Sequence, residues 1–286
     1  MNNKAFVKYI SALLLFGSNG MVASFIQLSS LQIVLLRTLT GSILLAVLFF
    51  LTGGKLTFYK HKRHFSFLAV SGIAMGASWM FLYEAYARIG VSIASLLYYC
   101  GPVIVMALSP LLFKEKLTAN KIVGFLAVIV GVVLINGNAF GDNGDISGIA
   151  CGLLSAVMYA FMVICNKKAS DISGLENSTL QLTTAFLTVA AFVGLKQGYT
   201  MQIASSSVIP ILVLGLLNTG IGCYLYFSSI GKLRVQTVAI CGYLEPLSAV
   251  VFSVVFLNEV MLPLQIIGAA LIIGGAMAGE LLNKRT

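Results

Sequence analysis

Apolar side chains dominate the sequence in stretches of about 20 residues, the length at which an α-helix crosses the ~30 Å hydrocarbon core of a bilayer. Short polar connections, such as GGKLTFYKHKRH at 53–64, separate these stretches. The pattern predicts ten membrane-spanning helices and leaves no connection long enough for a separate soluble domain. The predicted spans are 5–26, 30–52, 65–86, 91–112, 119–137, 146–166, 177–197, 207–230, 235–257 and 262–282.

The composition favours lipid as the solvent of most side chains. Hydrophobic residues make up 59% of the chain and charged residues 9%, whereas soluble domains carry about 25% charged residues. A soluble fold of this size needs far more polar surface than this. The sequence therefore predicts an all-α integral membrane protein.

The first span follows Lys4 and Lys8, and a short basic start before an apolar run is also the pattern of a signal peptide. The apolar run is interrupted by GSNG at 17–20, and its removal would leave nine spans. We therefore predict a retained span.

The basic residues indicate an orientation in the membrane. A net charge of +9 is compatible with nucleic-acid binding, but these residues lie in short connections, whereas nucleic acid requires a basic face on a folded domain. Fifteen of the 18 basic residues fall on the side of the N-terminus, while only Arg88 and Lys196 fall on the other and Arg37 lies inside a span. We expect a bacterial plasma membrane with both termini in the cytoplasm. The predicted inner residues are Lys4, Lys8, Lys55, Lys60, Lys62, Arg63, Lys114, Lys116, Lys121, Lys167, Lys168, Lys232, Arg234, Lys284 and Arg285.

The two halves of the chain align without gaps when 231–276 is placed on 87–132. The aligned special residues are Pro102 with Pro246, Glu115 with Glu259, Gly124 with Gly268, and Gly131 with Gly275. This register predicts a duplicated five-helix unit, with the first repeat at 1–142 and the second at 143–286. Because five is odd, the second unit begins from the opposite side of the membrane. Inverted repeats are the usual basis of alternating access, so the sequence predicts a carrier.

Three segments carry a family resemblance: LLLFGSNG at 13–20, LLRTLTGSILLAVL at 35–48 and GYLEPLSAVVFSVVFLNE at 242–259. With the two-fold repeat, they resemble the drug/metabolite transporter superfamily, specifically the EamA-type carriers of ten helices in two homologous halves. The chain departs from that pattern at Gly101, where an acidic residue would precede Pro102, and at Glu84. The resemblance implies secondary transport but not the cargo, because the family carries amino acids, nucleosides, vitamins, choline and drugs.

Glu245 and Pro246 interrupt the ninth predicted span near its middle. Glu245 lies ten residues into the span, or about 15 Å deep, where a charge costs about 2.5–3.5 kcal/mol on insertion scales. We therefore expect Glu245 either to bind cargo or protons in a watery cavity or to stabilise helix packing as a protonated or paired carboxylate. Pro246 and Pro102 are predicted kinks, because proline removes a backbone donor.

Arg37 lies about seven residues inside the second span, roughly 10 Å from its predicted outer start. A cation and a carboxylate facing one cavity suit a zwitterion such as an amino acid. The alternative is a structural ion pair of Arg37 with Glu245 or Glu84. Glu84 is also a candidate for solvation at the outer end.

We also place Asn19, from the GSNG interruption, in the predicted binding site together with six aromatic residues. These aromatics either line the cavity or pack and lie in the interfacial belt. If they surround Glu245, the chain could instead carry an organic cation such as choline or another quaternary amine in an aromatic cage. The six residues are Trp79, Tyr83, Tyr99, Tyr159, Tyr224 and Tyr243.

The remaining special residues favour structural roles. Glu115 and Glu259 precede predicted helices, and we expect each to stabilise the N-terminal dipole of the helix that follows it. The five cysteines lie in apolar runs without metal-ligand spacing. We therefore predict neither a disulfide framework nor a metal site.

An intramembrane enzyme or a scaffold is the non-transport alternative. The two histidines, His61 and His64, fall in the KHKRH connection, and the predicted spans hold no convergent acid, base and nucleophile. The sequence also lacks a G-x4-G-K-[ST] phosphate loop. We predict no enzymatic activity and no cofactor, with a small molecule and the lipid bilayer as partners. A proton gradient and passive movement are both open as driving forces, and the sequence specifies neither direction nor oligomeric state.

Overall fold

The computed structural model describes residues 3–89, 94, 97–136, 145–257 and 263–281. Every regular element within these ranges is a helix, which confirms the predicted all-α class. A 3-10 turn at Phe58–Lys60 and a π-helical segment at Val213–Ile221 accompany the α-helices. The α-helices are α1 (Asn3–Gly17), α2 (Asn19–Ala23), α3 (Ser30–Leu51), α4 (Lys62–Ile89), α5 (Cys100–Phe113), α6 (Ala119–Asn136), α7 (Ile146–Lys168), α8 (Gly174–Lys196), α9 (Ser205–Leu212), α10 (Gly222–Ile230), α11 (Val235–Gly242), α12 (Leu244–Leu257) and α13 (Pro263–Leu281).

Each predicted span overlaps at least one of these helices. Within the described residues, six helical stretches are long and apolar enough to cross a membrane, and three shorter helices are also apolar. The count of ten crossings stays a prediction. The six long stretches are Asn3–Ala23, Ser30–Leu51, Lys62–Tyr86, Ile146–Lys168, Gly174–Lys196 and Ser205–Ile230. The shorter helices are Cys100–Phe113, Ala119–Gly131 and Ile266–Gly275.

Polar side chains fix the starts of two long helices. The Ser29 hydroxyl accepts a hydrogen bond from the Gln32 amide, and the Gln32 side chain accepts one from the Ser29 amide, which forms a capping box at the start of α3. Asp145 caps α7 through the Ser147 amide at 2.9 Å. These caps satisfy backbone donors that have no partner within their own helix.

Four of the predicted spans are irregular near their middle. The first is divided between α1 and α2 at Ser18, and the eighth passes through the π-helical segment. The ninth is divided at Tyr243, a turn residue between α11 and α12. The fourth is divided at Tyr99, a turn residue at the equivalent place in the first half. Pro102 and Pro246 are each the third residue of the helix that follows the break. Proline is tolerated in a first helical turn because its missing N–H would have no partner there. Movement about these breaks stays a prediction.

Helix pairs that pack together in one arrangement have equivalent pairs when the two halves of the chain are interchanged. Helix α4 packs on α7 as α10 packs on α1, and α5 packs on α7 as α12 packs on α1. Helices α6 and α13 also pack closely. A Cβ atom added to Gly131 would lie 2.5 Å from the Gly268 carbonyl oxygen, and one added to Gly275 would lie 2.5 Å from the Gly124 carbonyl oxygen. Glycine is therefore required on both sides of this crossing.

Candidate functional site

A cavity of about 600 Å³ lies between α1, α2, α3, α4 and α12. It extends from Glu245 to Ser24 and Ser30, at the end of the molecule where the chain passes from α2 to α3. This end is the predicted outer side of the membrane. The lining includes the predicted site residues Asn19, Arg37, Trp79, Tyr83, Tyr99 and Glu245.

A smaller chamber of about 50 Å³ lies deeper in the molecule. It shares Asn19, Arg37, Trp79 and Glu245 with the main cavity, and the predicted site residue Tyr159 also lines it. The buried residue Tyr226 lines the chamber, and the Tyr9 ring packs behind it at a tilt, with ring centroids 5.4 Å apart. The Tyr9 hydroxyl donates to the Val238 carbonyl oxygen at 2.7 Å, which ties α1 to α11. The site is thus packed shut on its deep side.

Glu245 is the second residue of α12 and follows directly on the break at Tyr243. Its side chain is partly exposed to both cavities and has no hydrogen-bond partner among the described residues. A carboxylate at this depth is costly unless water or a ligand solvates it. The break and the cavity together provide that solvation.

The equivalent position of the first half is Gly101. A Cβ atom at Gly101 would lie 2.6 Å from the Tyr159 ring, so a carboxylate could not fit there without displacing that ring. The close contact explains why the chain departs from the acidic pattern before Pro102. Among the described residues, Glu245 of the second half is thus the carboxylate of the site.

Arg37 is 3% exposed, and its side chain is held by two contacts. Its Nε donates to the Thr219 hydroxyl at 2.9 Å, and its guanidinium carbon lies 4.5 Å from the centroid of the Trp79 ring. A cation over an aromatic face gains roughly 2 kcal/mol when desolvated. These contacts allow a charge to stay buried in an apolar span.

The structural ion pair considered for Arg37 is not present among the described residues. Neither Glu245 nor Glu84 has a carboxylate oxygen within 4 Å of the Arg37 nitrogens. Glu84 instead pairs with Arg88 at 2.9 Å and with Lys196 at 3.5 Å. The two charges of the cavity are therefore unpaired, and Glu84 belongs to a separate ion cluster at the predicted outer end.

Asp145 joins that outer cluster through Arg88, at 3.3 Å. Hydrogen bonds from Ser147 are the main cause of a lowered pKa of the Asp145 carboxyl. The hydrogen bond to Glu84 is the main cause of a raised pKa of Arg88. Because these side chains are exposed to solvent, the pairs contribute little to stability.

The aromatic residues of the predicted site do not all meet at the cavity. Trp79, Tyr83 and Tyr99 line the main cavity. Tyr243 is 1% exposed, lines neither cavity, and donates its hydroxyl to the Tyr99 carbonyl oxygen at 2.7 Å. Tyr224 also lines neither cavity, and its ring lies 5.0 Å from the Lys8 ammonium. The placement expected for Tyr224 and Tyr243 is thus corrected, because both face packed regions beside the cavity.

Sequence reasoning missed several residues of the site. Phe16 and Tyr98 line both cavities, and Asn218 and Thr219 contact Asn19 and Arg37. The available signal was the adjacent polar pair in LGLLNTGIG, because polar residues inside an apolar span often have a functional reason.

The role expected for Glu115 is also corrected. Its carboxylate accepts hydrogen bonds from the backbone amides of Val235 at 2.8 Å and Gln236 at 3.2 Å. It therefore caps α11 in the second half instead of the helix that follows it in sequence. Glu259 lies outside the described residues.

A dense polar layer surrounds this cap at the predicted inner end. The side-chain amide of Gln236 donates to the Ser109 hydroxyl at 3.0 Å, and the Lys121 ammonium donates to the same amide group. The Lys167 ammonium donates to the carbonyl oxygens of Ile230 and Leu233. The bonds of Gln236 join the two halves below the packed tyrosines, and those of Lys167 lie within the second half. The described structure is thus open at one end and closed at the other.

The histidines lie away from the cavity. His61 and His64 each approach the Asp171 carboxylate at 3.3 Å, between the 3-10 turn and the start of α8. No group of three potential metal ligands occurs in the part of the chain that the structure describes.

Comparison with known proteins gives two matches to one family. The profile of the EamA-like transporter family matches residues 4–137 and again residues 146–278. An uncharacterized transporter of Bacillus subtilis, YxxF, is 27% identical over 265 residues, covering 88% of this chain and 81% of its own length. The threonine/homoserine exporter RhtA of Escherichia coli is 24% identical over 251 residues, covering 87% and 81%.

A solved crystal structure gives an independent likeness in fold. It aligns with a TM-score of 0.84 over 98% of this chain and 99% of its own, at 20% sequence identity. At that identity the likeness concerns the fold alone.

Proposed function

The chain belongs to the EamA-like transporter family, and on that basis we propose that it carries a small amino acid or related zwitterion across the membrane by alternating access. The family and the curated relatives reported above are transporters, not enzymes. The observation that carries the proposal is that two opposite charges, Glu245 and Arg37, line one cavity without a salt bridge between them. A zwitterion offers an ammonium group to the first and a carboxylate to the second.

The nature of the cavity supports a small polar cargo. A volume of about 600 Å³ lies within the range of about 300–1,000 Å³ typical of small-molecule sites. Its walls carry two charged side chains, Glu245 and Arg37, surrounded by aromatic rings that can contact the apolar part of a cargo. The name of the relative RhtA favours an amino acid as cargo and export as the direction.

The asymmetry between the two ends supports alternating access. The cavity reaches the predicted outer end, while tyrosine packing and the hydrogen bonds of Gln236, Lys121 and Lys167 close the predicted inner end. In two inverted repeats, exchange of the two packings converts such a state into one open on the other side. The reciprocal packing of α1 on α10 and α4 on α7 supports this division into repeats at 1–142 and 143–286.

An organic cation such as choline is the second candidate. Trp79, Tyr83, Tyr98 and Tyr99 surround the space in front of Glu245, as in an aromatic cage. The Arg37 guanidinium in the same cavity disfavours this cargo, because it repels a molecule that carries only positive charge. A transport panel that includes both classes separates them.

The first test compares Glu245→Gln with the parent protein in proteoliposomes loaded with L-threonine, L-homoserine, L-alanine or choline. Loss of the carboxylate should reduce transport of the preferred amino acid at least about tenfold, the effect of losing one charge-assisted hydrogen bond. If Glu245 also exchanges protons with the cavity, the response to an imposed pH gradient disappears in the same variant.

Glu84→Gln is the matched control, since it makes the same chemical change in the outer ion cluster, and it should transport at the parental rate. Equal transport by Glu245→Gln and the parent would remove Glu245 from the mechanism. A parent that moves choline but no amino acid would replace the proposed cargo by the cationic one.

A further inference from the structure

The π-helical segment Val213–Ile221 contains two adjacent buried polar residues. Asn218 is 1% exposed and Thr219 is fully buried. π-Helical turns are rare and occur mostly at functional sites, and a buried polar group is costly unless it is hydrogen-bonded. Among its contacts, each of these residues has one with a different residue of the cavity.

Asn218 fixes the orientation of the Asn19 amide. Its side-chain nitrogen lies 3.2 Å from the Leu15 carbonyl oxygen and 3.1 Å from the side chain of Asn19. The Ser18 hydroxyl oxygen lies 2.8 Å from the same nitrogen. A carbonyl oxygen only accepts hydrogen bonds, so the group of Asn218 that faces Leu15 must be its NH2. The atom of Asn19 that faces the same NH2 must then be the amide oxygen. This assignment follows from the contact to Leu15 alone.

The consequence is that the NH2 group of Asn19 is turned away from Asn218. Asn19 is half-buried and lines both the cavity and the deeper chamber. Its NH2 group has no acceptor among the described residues. It is therefore available as a donor to a molecule in the cavity.

Thr219 fixes the second donor in a similar way. Its hydroxyl donates its only hydrogen to the Leu214 carbonyl oxygen at 2.8 Å, which leaves its lone pairs for the Arg37 Nε at 2.9 Å. With Nε held by Thr219 and the guanidinium stacked on Trp79, the two Nη groups have no acceptor among the described residues. Arg37 is thus oriented before any cargo binds.

We propose that Asn218 and Thr219 are positioning residues which orient the Asn19 amide and the Arg37 guanidinium so that both donate hydrogen bonds to the carboxylate of one bound amino acid. The ammonium group of that amino acid faces Glu245. The cargo in this statement rests on the proposed function, whereas the orientation of the two donors does not. The π-helical segment is the element that brings both positioning residues to the same wall.

The orientation of Arg37 can be tested without any ligand, because Trp79 is the single tryptophan of the chain. Thr219→Val removes the hydroxyl that accepts from Arg37 and should change the emission maximum of Trp79 and its quenching by iodide. Thr219→Ser keeps a hydroxyl and should retain the parental spectrum. A Thr219→Val protein with unchanged Trp79 emission and quenching would overturn the role of Thr219.

The orientation of Asn19 is tested by binding of two probes, measured through Trp79 fluorescence. The probes are L-threonine and 1-amino-2-propanol, which is threonine without its carboxylate. Asn218→Ala should weaken L-threonine binding at least about tenfold, as expected for a misplaced donor to a charged group. The same variant should leave 1-amino-2-propanol binding unchanged within about twofold, a difference that general destabilisation would not produce.

Asn19→Asp provides a matched variant that preserves the packing. It keeps an oxygen toward Asn218 but replaces the NH2 donor with an acceptor, so it should also weaken L-threonine binding at least about tenfold. In the Asn19→Asp background, Asn218→Ala should cause no further loss, because the group that Asn218 positions is already absent. If the double variant loses affinity for L-threonine by the product of the two single losses, Asn218 does not act through Asn19. If Asn218→Ala does not fold, Asn19→Asp and the Thr219 variants still test both donors.

The two hypotheses fail in different ways. A parent protein that binds none of the amino acids in the panel would overturn the proposed function and the carboxylate assignment with it. If the parent protein binds L-threonine and the Asn218→Ala and Thr219→Val variants bind it with the same affinity, the positioning inference alone is overturned.

Discussion

Arg37 illustrates how a single charged residue is accommodated within an apolar helix. Its position in the sequence indicated a functional site, but the sequence allowed both a cargo contact and an ion pair. The structure provides a hydroxyl and an aromatic face instead of a carboxylate as partners. Both are neutral, so the guanidinium has no carboxylate within salt-bridge distance among the described residues and is available to an anionic group that enters the cavity.

Replacement of Arg37 should therefore alter selectivity as well as affinity. Arg37→Gln leaves Glu245 as the remaining charged side chain among the described lining residues of the cavity. A single carboxylate favours the binding of cations. We expect at least about a tenfold loss in affinity for L-threonine and improved binding of choline, both measured by Trp79 fluorescence and proteoliposome transport.

Arg88→Gln is the control for the Arg37 substitution. It removes a charge from the outer ion cluster, outside the cavity lining, and should preserve the parental order of substrates. Unchanged selectivity in Arg37→Gln would show that the cavity charge does not choose the cargo.

At the scale of helices, apolar run length predicted segments that each overlap a described helix, because a bilayer requires about 20 residues of helix. The prolines at 102 and 246 marked the places where helices are interrupted, but not that a turn residue, Tyr99 or Tyr243, precedes each new helix. The π-helical segment had no distinct signal, because apolar residues fill α- and π-helical turns alike.

The partners of individual side chains were harder to predict. Glu115 caps α11 across the boundary of the two halves, a contact between residues 120 positions apart. Local sequence suggested the nearest helix start and therefore the wrong helix. Tyr243 likewise has the depth of a cavity residue, but its ring packs against Phe125 and Tyr99 instead of lining the cavity.

The crossing of α6 and α13 gives a prediction with a neighbouring control. In Gly275→Ala, the new methyl group would lie 2.5 Å from the Gly124 carbonyl oxygen, and overpacking of this kind costs about 1–3 kcal/mol. Gly274 has no atom within 4 Å of the equivalent position, so Gly274→Ala should be neutral or stabilising by up to about 1 kcal/mol.

Thermal unfolding of the purified variants in detergent measures this difference. Gly131→Ala should reproduce the effect of Gly275→Ala, because it makes the reciprocal contact with Gly268. Equal melting temperatures for Gly274→Ala and Gly275→Ala would contradict close packing at this crossing.

At the scale of the whole molecule, the described structure combines an open cavity with a closed opposite end. The distribution of basic residues predicts that the closed end faces the cytoplasm. If this predicted orientation holds, the described structure is an outward-open state.

Labelling from each side of the membrane tests that orientation. With the five native cysteines replaced by alanine or serine, a single cysteine at Lys196 should react with a membrane-impermeant maleimide in intact cells. A single cysteine at Lys232 should react only after the membrane is permeabilised. The reverse pattern would place the cavity opening on the cytoplasmic side.

The reciprocal glycine contacts between α6 and α13 also bear on the origin of the chain. Each helix presents to the other the same small residue and the same carbonyl group, which is the geometry of a symmetric dimer. An ancestral five-helix polypeptide inserted in both orientations could have formed the same crossing before gene fusion. We therefore expect the two halves, expressed as separate polypeptides, to recognise each other in the membrane and restore function.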